Sequence, residues 1–564
     1  MNISVKSFHL VPDFRAVLRM ALLLAAVVAC QLIATDIARA QAAGASDPAT
    51  DADRLALGKR IYREGVRASG ELLTAEGPAQ MPRGGKDAAC VACHRRSGYG
   101  ETEGRIVVRP ITGLALTHEQ AVPISNPRLK ARLGSTQRPP YTEATLARAI
   151  RTGIDAAGKP LGAMMPRYAL GDDELKSLAA YLFSLSTRPS PGVDEHDIHF
   201  ATVIQPGIAP ERRRAMLDIM QAFVKDKDAN VRSEELRREA GNMRMYRAYR
   251  KWVLHVWELS GPSESWGAQL DAYYAKQPVF ALIGGLGNSS WRPIHEFSER
   301  MEIPSVFPQV ELPLASGTNN YNFYFSRGVV LEAEVLAKFM LDKNEPGKVV
   351  QVFRRDEASS AAAVAFRAAL KAGGGAAPEE YVLEEPASEA FWKKVYAANP
   401  GALVLWLGAQ DLAGGYAPGD AGAPAVYLSF NLLDGRRPDA AVKEGGNVRL
   451  IYPSDLPPKR DARLLRNKYW LHSKAIKISD EKVQINTLFT MALVSDVIGH
   501  LQDSFSRDYF VERIEHAVFQ TPMPSVYQQV SLGPGQRFAA KGSSIVQLGA
   551  DEKSLKAVSA WIVP

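Results

Sequence analysis

The chain has 564 residues, of which 46% are hydrophobic and 23% are charged. These fractions exclude a wholly disordered or collagen-like chain, and the length predicts about two to four domains rather than one core. The formal charge of +7, from 68 basic and 61 acidic side chains, is close to balance and gives no reason to expect nucleic acid as a partner.

The first 40 residues have the pattern of an export signal. Basic side chains precede an apolar run over residues 21–30, and the sequence Ala-Arg-Ala ends at residue 40. A basic start, an apolar run of about 10–15 residues and an A-x-A site are typical of a secretory signal peptide. We therefore expect residues 1–40 to be removed, residues 41–53 to form a flexible lead-in, and the mature protein to reside in the periplasm. An uncleaved anchor and a lipid attached to Cys30 are the alternatives.

Two cysteines remain after residue 40, in the run Cys-Val-Ala-Cys-His at positions 90–94. This is the C-x-x-C-H pattern of covalent c-type haem attachment. Thiols three positions apart on a helical turn can each add to one vinyl group of the same haem, and the following histidine reaches the iron. A redox disulfide would not need the histidine, and a zinc site would need two more soft ligands, which no remaining cysteine supplies. The pattern predicts one covalent haem c, held by Cys90 and Cys93, with His94 as the proximal ligand.

Two methionines offer a sixth ligand for such an iron. Met164 and Met165 lie in a loop that ends at Pro166, before an amphipathic helix predicted over residues 171–185. A thioether ligand raises the haem potential relative to a second imidazole. Core filling is the alternative role of a methionine, and a rigid loop next to a proline is less typical of it.

Residues 54–187 resemble the class I cytochromes c, an all-α family. Gly58 lies in the predicted first helix and Tyr181 in the last, and they resemble the glycine and the aromatic residue at which those helices cross in the family. Pro110 resembles the proline whose carbonyl holds the other nitrogen of the proximal histidine. The resemblance implies a one-electron carrier that meets redox partner proteins in the periplasm.

The resemblance also bears on the distal ligand. The family pattern favours Met165, which is adjacent to Pro166, with Met164 as its rival. The sequence departs from the family between Tyr62 and Cys90, where 27 residues stand, more than small members of the family carry.

Residues 188–196 begin with Arg-Pro-Ser-Pro-Gly and are predicted to form a semi-rigid linker. Beyond them, strand-like and helix-like segments alternate at the spacing of βαβ units. Two such series resemble a type I periplasmic binding protein, of the group that serves branched-chain amino acids and related small ligands. Residues 197–564 are thus expected to have the α/β two-lobe type I periplasmic-binding-protein fold.

A small-molecule site is expected outside the carboxyl ends of the predicted strands. The glycine-rich loop at residues 284–290 can admit a ligand closely, and the next helix offers free N–H groups to an anion or carboxylate. The candidate ligand residues are Asn288, Ser289, Ser290, Tyr324 and Gln410. A purely structural turn is the alternative reading, and nucleotides are not expected, because the loop has neither G-x-G-x-x-G nor a P-loop lysine.

These features predict an exported c-type cytochrome that transfers one electron through a haem ligated by His94 and Met165, fused to a small-molecule-binding module. The alternative is a solute-binding protein of an ABC-type uptake or sensing system, in which the haem domain is an accessory. Expected partners are periplasmic redox proteins, a small molecule that can bear a carboxylate, and a membrane transporter or a dehydrogenase. Catalysis is not expected, because no flavin or quinone fingerprint and no metal-ligand cluster stands out in the sequence.

Overall fold

The chain forms two compact units, Met1–Leu185 and Ser186–Pro564. The structure, a computed structural model, describes residues 48–77, 81–103, 106–119, 138–239, 250–314, 319–343, 347–384, 386–412, 424–435, 447–501, 504–549 and 554–564. The signal peptide predicted at 1–40 lies outside these residues. Within the described ranges, no helix is both long enough and apolar enough to cross a membrane.

Five helices make up most of the first unit's described secondary structure. They are α1 Pro48–Glu64, α2 Val91–His94, α3 Gly113–Thr117, α4 Glu143–Thr152 and α5 Asp172–Ser184. Local sequence sets their ends: Thr142 accepts a hydrogen bond from Thr145 N (3.2 Å) before α4, and Gly153, with φ of 73°, ends it. Helix α1 begins at Pro48, so the second half of the predicted lead-in is helical rather than flexible.

Helices α1 and α5 cross closely at Gly58. A Cβ atom at Gly58 would lie 2.1 Å from the Ser177 carbonyl oxygen and 2.7 Å from the Tyr181 Cβ atom. The rings of Tyr62 and Tyr181 pack beside this crossing, with centroids 5.4 Å apart. The crossing predicted from Gly58 and Tyr181 is confirmed.

The first unit is not all-α, so that part of the sequence prediction is wrong. Its strands are β1 Thr74–Glu76, β2 Pro82–Gly84, β3 Thr102–Glu103, β4 Ile106–Val107 and β5 Arg167–Tyr168. Strand β1 pairs antiparallel with both β2 and β5, and β3 pairs with β4. The long stretch before Cys90 is therefore a hairpin. It alternates exposed and buried residues along β1, as a half-buried strand does.

The second unit begins with a parallel sheet of five strands. They are β6 Asp197–Ile204, β7 Lys251–Glu258, β8 Ala281–Ile283, β9 Ser305–Val306 and β10 Asn322–Phe323. Their order across the sheet is β10-β9-β8-β6-β7, which is the 2-1-3-4-5 order of doubly wound α/β folds. The helices between them are α6 Pro210–Glu239, α7 Trp266–Lys276 and α8 Arg292–Arg300.

A second sheet repeats this order. Its strands are β11 Val349–Phe353, β12 Glu379–Val382, β13 Ala402–Trp406, β14 Ala425–Ser429, β15 Val448–Tyr452, β16 Ser544–Gln547 and β17 Lys556–Ala557. The first five are parallel in 2-1-3-4-5 order, and β16 and β17 extend the sheet antiparallel. The remaining helices are α9 Val329–Lys343, α10 Glu357–Ala372, α11 Glu389–Ala397, α12 Ala409–Leu412, α13 Lys459–Ser473, α14 Glu481–Leu501 and α15 Arg507–Ala517.

Helix α14 returns to the first sheet although it follows the second in sequence. Residues on every side of it are buried, and its apolar side chains join the core beneath β6 and β8. A helix that is apolar all round is stable only when it is enclosed in this way. Each sheet thus has its own hydrophobic core.

The segment predicted as a semi-rigid linker, residues 188–196, is hydrogen-bonded near its start to the rest of the second unit. Ser190 N–H donates to the Phe505 carbonyl (2.8 Å), and the Ser190 hydroxyl accepts from Arg507 N (3.1 Å). The buried guanidinium of Arg507 also donates to the Pro191 carbonyl (3.1 Å). A buried guanidinium needs several acceptors, and the backbone of this segment supplies one of them.

Candidate haem site

The two cysteines and the histidine of the predicted motif occupy one helical turn. Cys90 has helical backbone angles immediately before α2, and its carbonyl accepts from Cys93 N (3.2 Å) and His94 N (2.9 Å). Side chains three and four positions apart on a helix lie on one face. The turn therefore presents both thiols and the imidazole to the same side, as a single covalently attached porphyrin requires.

The imidazole of His94 is fixed by its other nitrogen. His94 is 8% exposed, and its Nδ1 lies 3.0 Å from the Arg109 carbonyl oxygen. A carbonyl only accepts, so Nδ1 carries the proton and Nε2 keeps its lone pair for a metal. Burial lowers the pKa of His94 to about 4, so the ring stays neutral at physiological pH.

The acceptor of this bond differs from the predicted one. The predicted acceptor was the Pro110 carbonyl, and the acceptor in the structure is the Arg109 carbonyl, one residue earlier. A proline holds the residue before it in extended conformations. Pro110 therefore acts on His94 by orienting the Arg109 carbonyl rather than by accepting the bond itself.

Cys90 and Cys93 are free, half-buried thiols, so the redox-disulfide alternative is not formed in this structure. Burial, with a contribution from Cys93, raises the pKa of the Cys90 thiol to about 12. In the described part of the chain, the two sulfurs and His94 do not belong to any group of ligand atoms within 4.8 Å of one another. A tetrahedral zinc site would need ligand atoms that converge on one ion.

The two candidate methionines have different surroundings. Met165 is half-buried and packs against the first unit's core, whereas Met164 is 48% exposed. The Met165 carbonyl accepts a short hydrogen bond from Arg167 Nη1. The Arg167 guanidinium occupies the space that a Cβ atom at position 153 would take, so the glycine there leaves room for it. The loop is thus held at its backbone with Met165 turned toward the core.

Strand β5 holds the methionine loop from the other side. It follows Met165 directly and pairs with β1, joining Ala75 to Tyr168. The Tyr168 hydroxyl donates to the Ala88 carbonyl (2.9 Å), two residues before Cys90. Tyr168 therefore connects the methionine loop to the cysteine turn. The sequence did not predict this hydrogen bond. The one feature that pointed to additional structure here was the extra length of the chain before Cys90.

The glycine-rich loop of the second unit is filled by one of the chain's own side chains. Gln205 Oε1 accepts from Asn288 N (3.0 Å), Ser289 N (3.1 Å) and Ser289 Oγ (3.0 Å). Gln205 Nε2 donates to the Ser290 carbonyl (3.0 Å). The donors predicted to hold an anion at residues 288 and 289 are therefore engaged within the protein.

The other two predicted ligand residues lie apart from that contact. The Tyr324 hydroxyl is buried and lies 2.8 Å from His295 Nδ1, while Gln410 is exposed on α12. No hydrogen bond described here links Tyr324 or Gln410 to Asn288, Ser289 or Ser290. A single pocket formed by these five residues therefore stays a prediction.

Sequence reasoning missed a cluster of buried and half-buried charges in the second unit. We call it the charged cleft, and its members are Arg212, Glu311, Glu332, Asp434 and Lys482. Arg212 and Asp434 form a short ion pair, and Lys482 Nζ donates to the Asn431 amide oxygen (3.2 Å). The cavity beside Arg212, Glu311 and Lys482 is about 10 Å³, close to the space of one water molecule.

The acids of the charged cleft are strongly perturbed. Burial raises the pKa of Glu332 to about 7, although Ser429 and Asn431 donate hydrogen bonds to it. Burial and the nearby Asp434 charge raise the pKa of Glu311 to about 7, and burial lowers the pKa of Lys482. Perturbed groups that converge in one place mark a functional-site candidate.

Residues 85–186 match the family described as Cytochrome c. The chain therefore carries a cytochrome c domain over these residues, and members of this family bind haem c covalently. The domain's C-x-x-C-H turn and its buried histidine are the parts of the structure that suit this cofactor. None of the curated proteins matches the chain.

Solved structures of substrate-binding proteins are similar to about two thirds of the chain. A solute-binding protein from R. palustris in complex with benzoate is 13% identical, with 65% of this chain and 98% of that chain covered and a TM-score of 0.48. A branched-chain amino acid ABC transporter structure from Thermus thermophilus with bound valine is 13% identical, covering 66% and 98%, with a TM-score of 0.45. A fatty acid ABC transporter substrate-binding protein from Thermomonospora curvata is 14% identical, covering 67% and 95%, with a TM-score of 0.46.

Proposed function

We propose that the protein is an exported cytochrome that transfers one electron at a time through a single haem c. The observation that carries the proposal is the turn of Cys90, Cys93 and His94, with the imidazole buried and held by the Arg109 carbonyl. We assign the haem domain to residues 54–187 and a cleaved signal peptide to residues 1–40, with the mature protein in the periplasm.

The residues of the domain have separate tasks in this proposal. Haem c supplies the one-electron redox couple when bound. His94 offers Nε2 to the iron, because its Nδ1–H is already donated. Met165 offers a thioether from the core side of its loop, and the exposed Met164 is the weaker candidate. Ligation by both residues would leave no open position for oxygen chemistry, in keeping with an electron carrier rather than an oxidase.

The first test is attachment and ligation in the full chain, matured in a host that assembles c-type cytochromes. The mass of the mature protein should exceed that of the processed chain by one haem, and the reduced protein should have a low-spin spectrum. His94→Ala should abolish that spectrum, whereas His118→Ala should keep it, because His118 is an exposed histidine of the same unit that bonds to the Leu114 carbonyl. Colourless wild-type protein, or an unchanged spectrum in His94→Ala, would contradict the proposal.

The charged cleft supports a second candidate function, a solute-binding protein in which the haem domain is an accessory. We propose that the two sheets form two lobes that part to admit a small carboxylate. Arg212 and Lys482 are buried cations in the first turns of α6 and α14, and the ligand carboxylate would replace Asp434 as the partner of Arg212. A transporter, a dehydrogenase or periplasmic redox proteins would be the partners of such a module.

One measurement separates the two functions. Small carboxylates are added to the haem-loaded protein, and both the melting temperature of the second unit and the haem midpoint potential are recorded. If a ligand shifts both the melting temperature and the midpoint potential, the two units are coupled. A ligand that shifts only the melting temperature reduces the haem to an independent accessory. No shift with any carboxylate tested would leave the electron carrier as the function.

A further inference from the structure

We propose that the turn entering β6 is a binding site for a divalent first-row transition metal, with Asp194, Asp197 and His199 as its protein ligands. One carboxylate oxygen from each aspartate and one ring nitrogen of His199 all lie within 4.8 Å of one another. The site is independent of the haem domain and of the charged cleft.

Local structure explains why three donors converge here. Asp197 and His199 are two positions apart on β6, so their side chains point to the same face of the sheet. A tight turn returns Asp194 to that face: its N–H donates to the Asp197 carbonyl (3.1 Å), and its Oδ1 accepts from His196 N and Asp197 N, both at 2.8 Å. The turn therefore uses Asp194 Oδ1 and leaves Asp194 Oδ2 for a ligand.

The distance between the aspartate and the histidine suits an ion shared between them. Asp194 Oδ2 lies 3.8 Å from His199 Nε2, which is too long for a hydrogen bond. Two donors that each lie about 2.0–2.2 Å from one metal ion are roughly 3–4 Å apart. His199 is 16% exposed at its side chain and Asp194 is 59% exposed, so the site is enclosed on the sheet side and open to water on the other.

A second histidine orients the first. His199 and His255 lie on the adjacent strands β6 and β7, with their rings stacked and His199 Nδ1 3.0 Å from His255 Nε2. When His199 donates its Nδ1–H to His255, its Nε2 lone pair faces the aspartates. A metal-bound histidine typically donates its other ring N–H to an acceptor in this way. His255 is thus a positioning residue of the site.

The donor set indicates the class of metal. An imidazole favours zinc, copper, nickel and iron over magnesium and calcium, and two carboxylates add charge to balance a divalent ion. The guanidinium of Arg250 also lies nearby, but it donates to the Asp194 backbone carbonyl and covers the Phe505 ring rather than the carboxylates. We expect Zn²⁺ and Cu²⁺ to bind, with water completing the coordination.

The test is calorimetric titration of Zn²⁺ into the untagged, haem-loaded full chain after treatment with a chelator. We expect one Zn²⁺ per chain, with affinity reduced at least tenfold in His199→Gln and in Asp197→Asn. Asp194→Asn should weaken binding as well, while it keeps the Oδ1 acceptor that the turn needs. His255→Ala should weaken binding about 10–100-fold, with partial recovery in His255→Gln, which restores an acceptor.

The chain contains a matched control for nonspecific binding. His500 Nδ1 and Asp496 Oδ2 are also 3.8 Å apart, but they belong to no group of three ligand atoms in the described residues. His500→Ala should therefore leave the zinc affinity unchanged. Copper provides a second readout, because Cu²⁺ bound to His199 shows nitrogen coupling in its electron paramagnetic resonance spectrum. Zinc affinity as high in His199→Gln and Asp197→Asn as in the wild type, or no stoichiometric binding to the wild type, would overturn the proposal.

Discussion

The structure defines most fully how replacing Glu174 with glutamine should change the free energy of unfolding of the first unit. Glu174 lies in the first turn of α5, is only 10% exposed, and accepts four hydrogen bonds. Two come from Arg67 (Nε at 3.2 Å and Nη2 at 2.9 Å), and the others from Ala68 N (3.1 Å) and Gly171 N (3.0 Å). The hydrogen bonds from Arg67 are the main reason that the pKa of Glu174 is lowered to about 2.

The shifted pKa sets the size and the sign of the effect. A carboxyl whose pKa falls from 4.5 to about 2 on folding stabilises the folded state by about 3 kcal/mol at neutral pH. Because the folded-state pKa is the lower one, this stabilisation is fully present above about pH 4.5 and is lost as the pH falls toward 2. We expect Glu174→Gln to lower the free energy of unfolding of the first unit by about 2–3 kcal/mol at pH 7 and to have little effect near pH 2.

The two units can be followed separately in one urea titration. All eight tryptophans lie between residues 252 and 561, so tryptophan fluorescence reports the second unit, whereas haem absorbance reports the first. Glu71→Gln is the control, because Glu71 is 73% exposed and lies 4.0 Å from the same Arg67. The reasoning is refuted if Glu174→Gln costs no more than Glu71→Gln at pH 7, or if its cost persists unchanged at pH 2.

Three further predictions concern the first unit. Gly58→Ala should destabilise the first unit by about 1–3 kcal/mol in the same urea titration, because the new Cβ would overlap the Ser177 carbonyl. Unchanged stability would mean that α1 and α5 can move apart at little cost. Met165→Ala should lower the haem midpoint potential and abolish the far-red sulfur-to-iron band, and Met164→Ala should do neither; the opposite pattern would exchange the two assignments. Tyr168→Phe removes the buried hydrogen bond to the Ala88 carbonyl and should lower the stability of the first unit by about 1 kcal/mol. The far-red sulfur-to-iron band of this variant should be partly lost at a temperature at which the wild type retains it. A full band would show that the bond does not hold the methionine loop.

Short-range patterns in the sequence predicted the local geometry of the Cys-Val-Ala-Cys-His turn. The spacing of Cys90, Cys93 and His94 determines their shared face, because one helical turn fixes it whatever surrounds it. Gly58 and Tyr181 were also informative, because a close helix crossing requires a residue without a side chain at the point of contact. The alternation of strands and helices likewise predicted the parallel strands in both sheets of the second unit.

Long-range contacts could not be predicted in the same way. The pairing of β1 with β5 joins residues more than ninety positions apart, and nothing local to either strand indicates its partner. The charged cleft is similar: Arg212 and Asp434 are 222 positions apart and resemble surface charges in the sequence. The engagement of Asn288 and Ser289 by Gln205 could not be foreseen either, because the same donors would serve a ligand or a neighbouring side chain equally well.

The strand that follows Met165 has a consequence for reactions with added ligands. If Met165 holds the iron as proposed, a small molecule such as imidazole or carbon monoxide could replace it in the haem-loaded protein only after the Met165 side chain had moved away. That movement would strain the pairing of Glu76 with Arg167 and of Ala75 with Tyr168. The rate of exchange should therefore be set by a local opening of the β1–β5 pair, and it should become independent of the concentration of the incoming molecule once that opening is limiting.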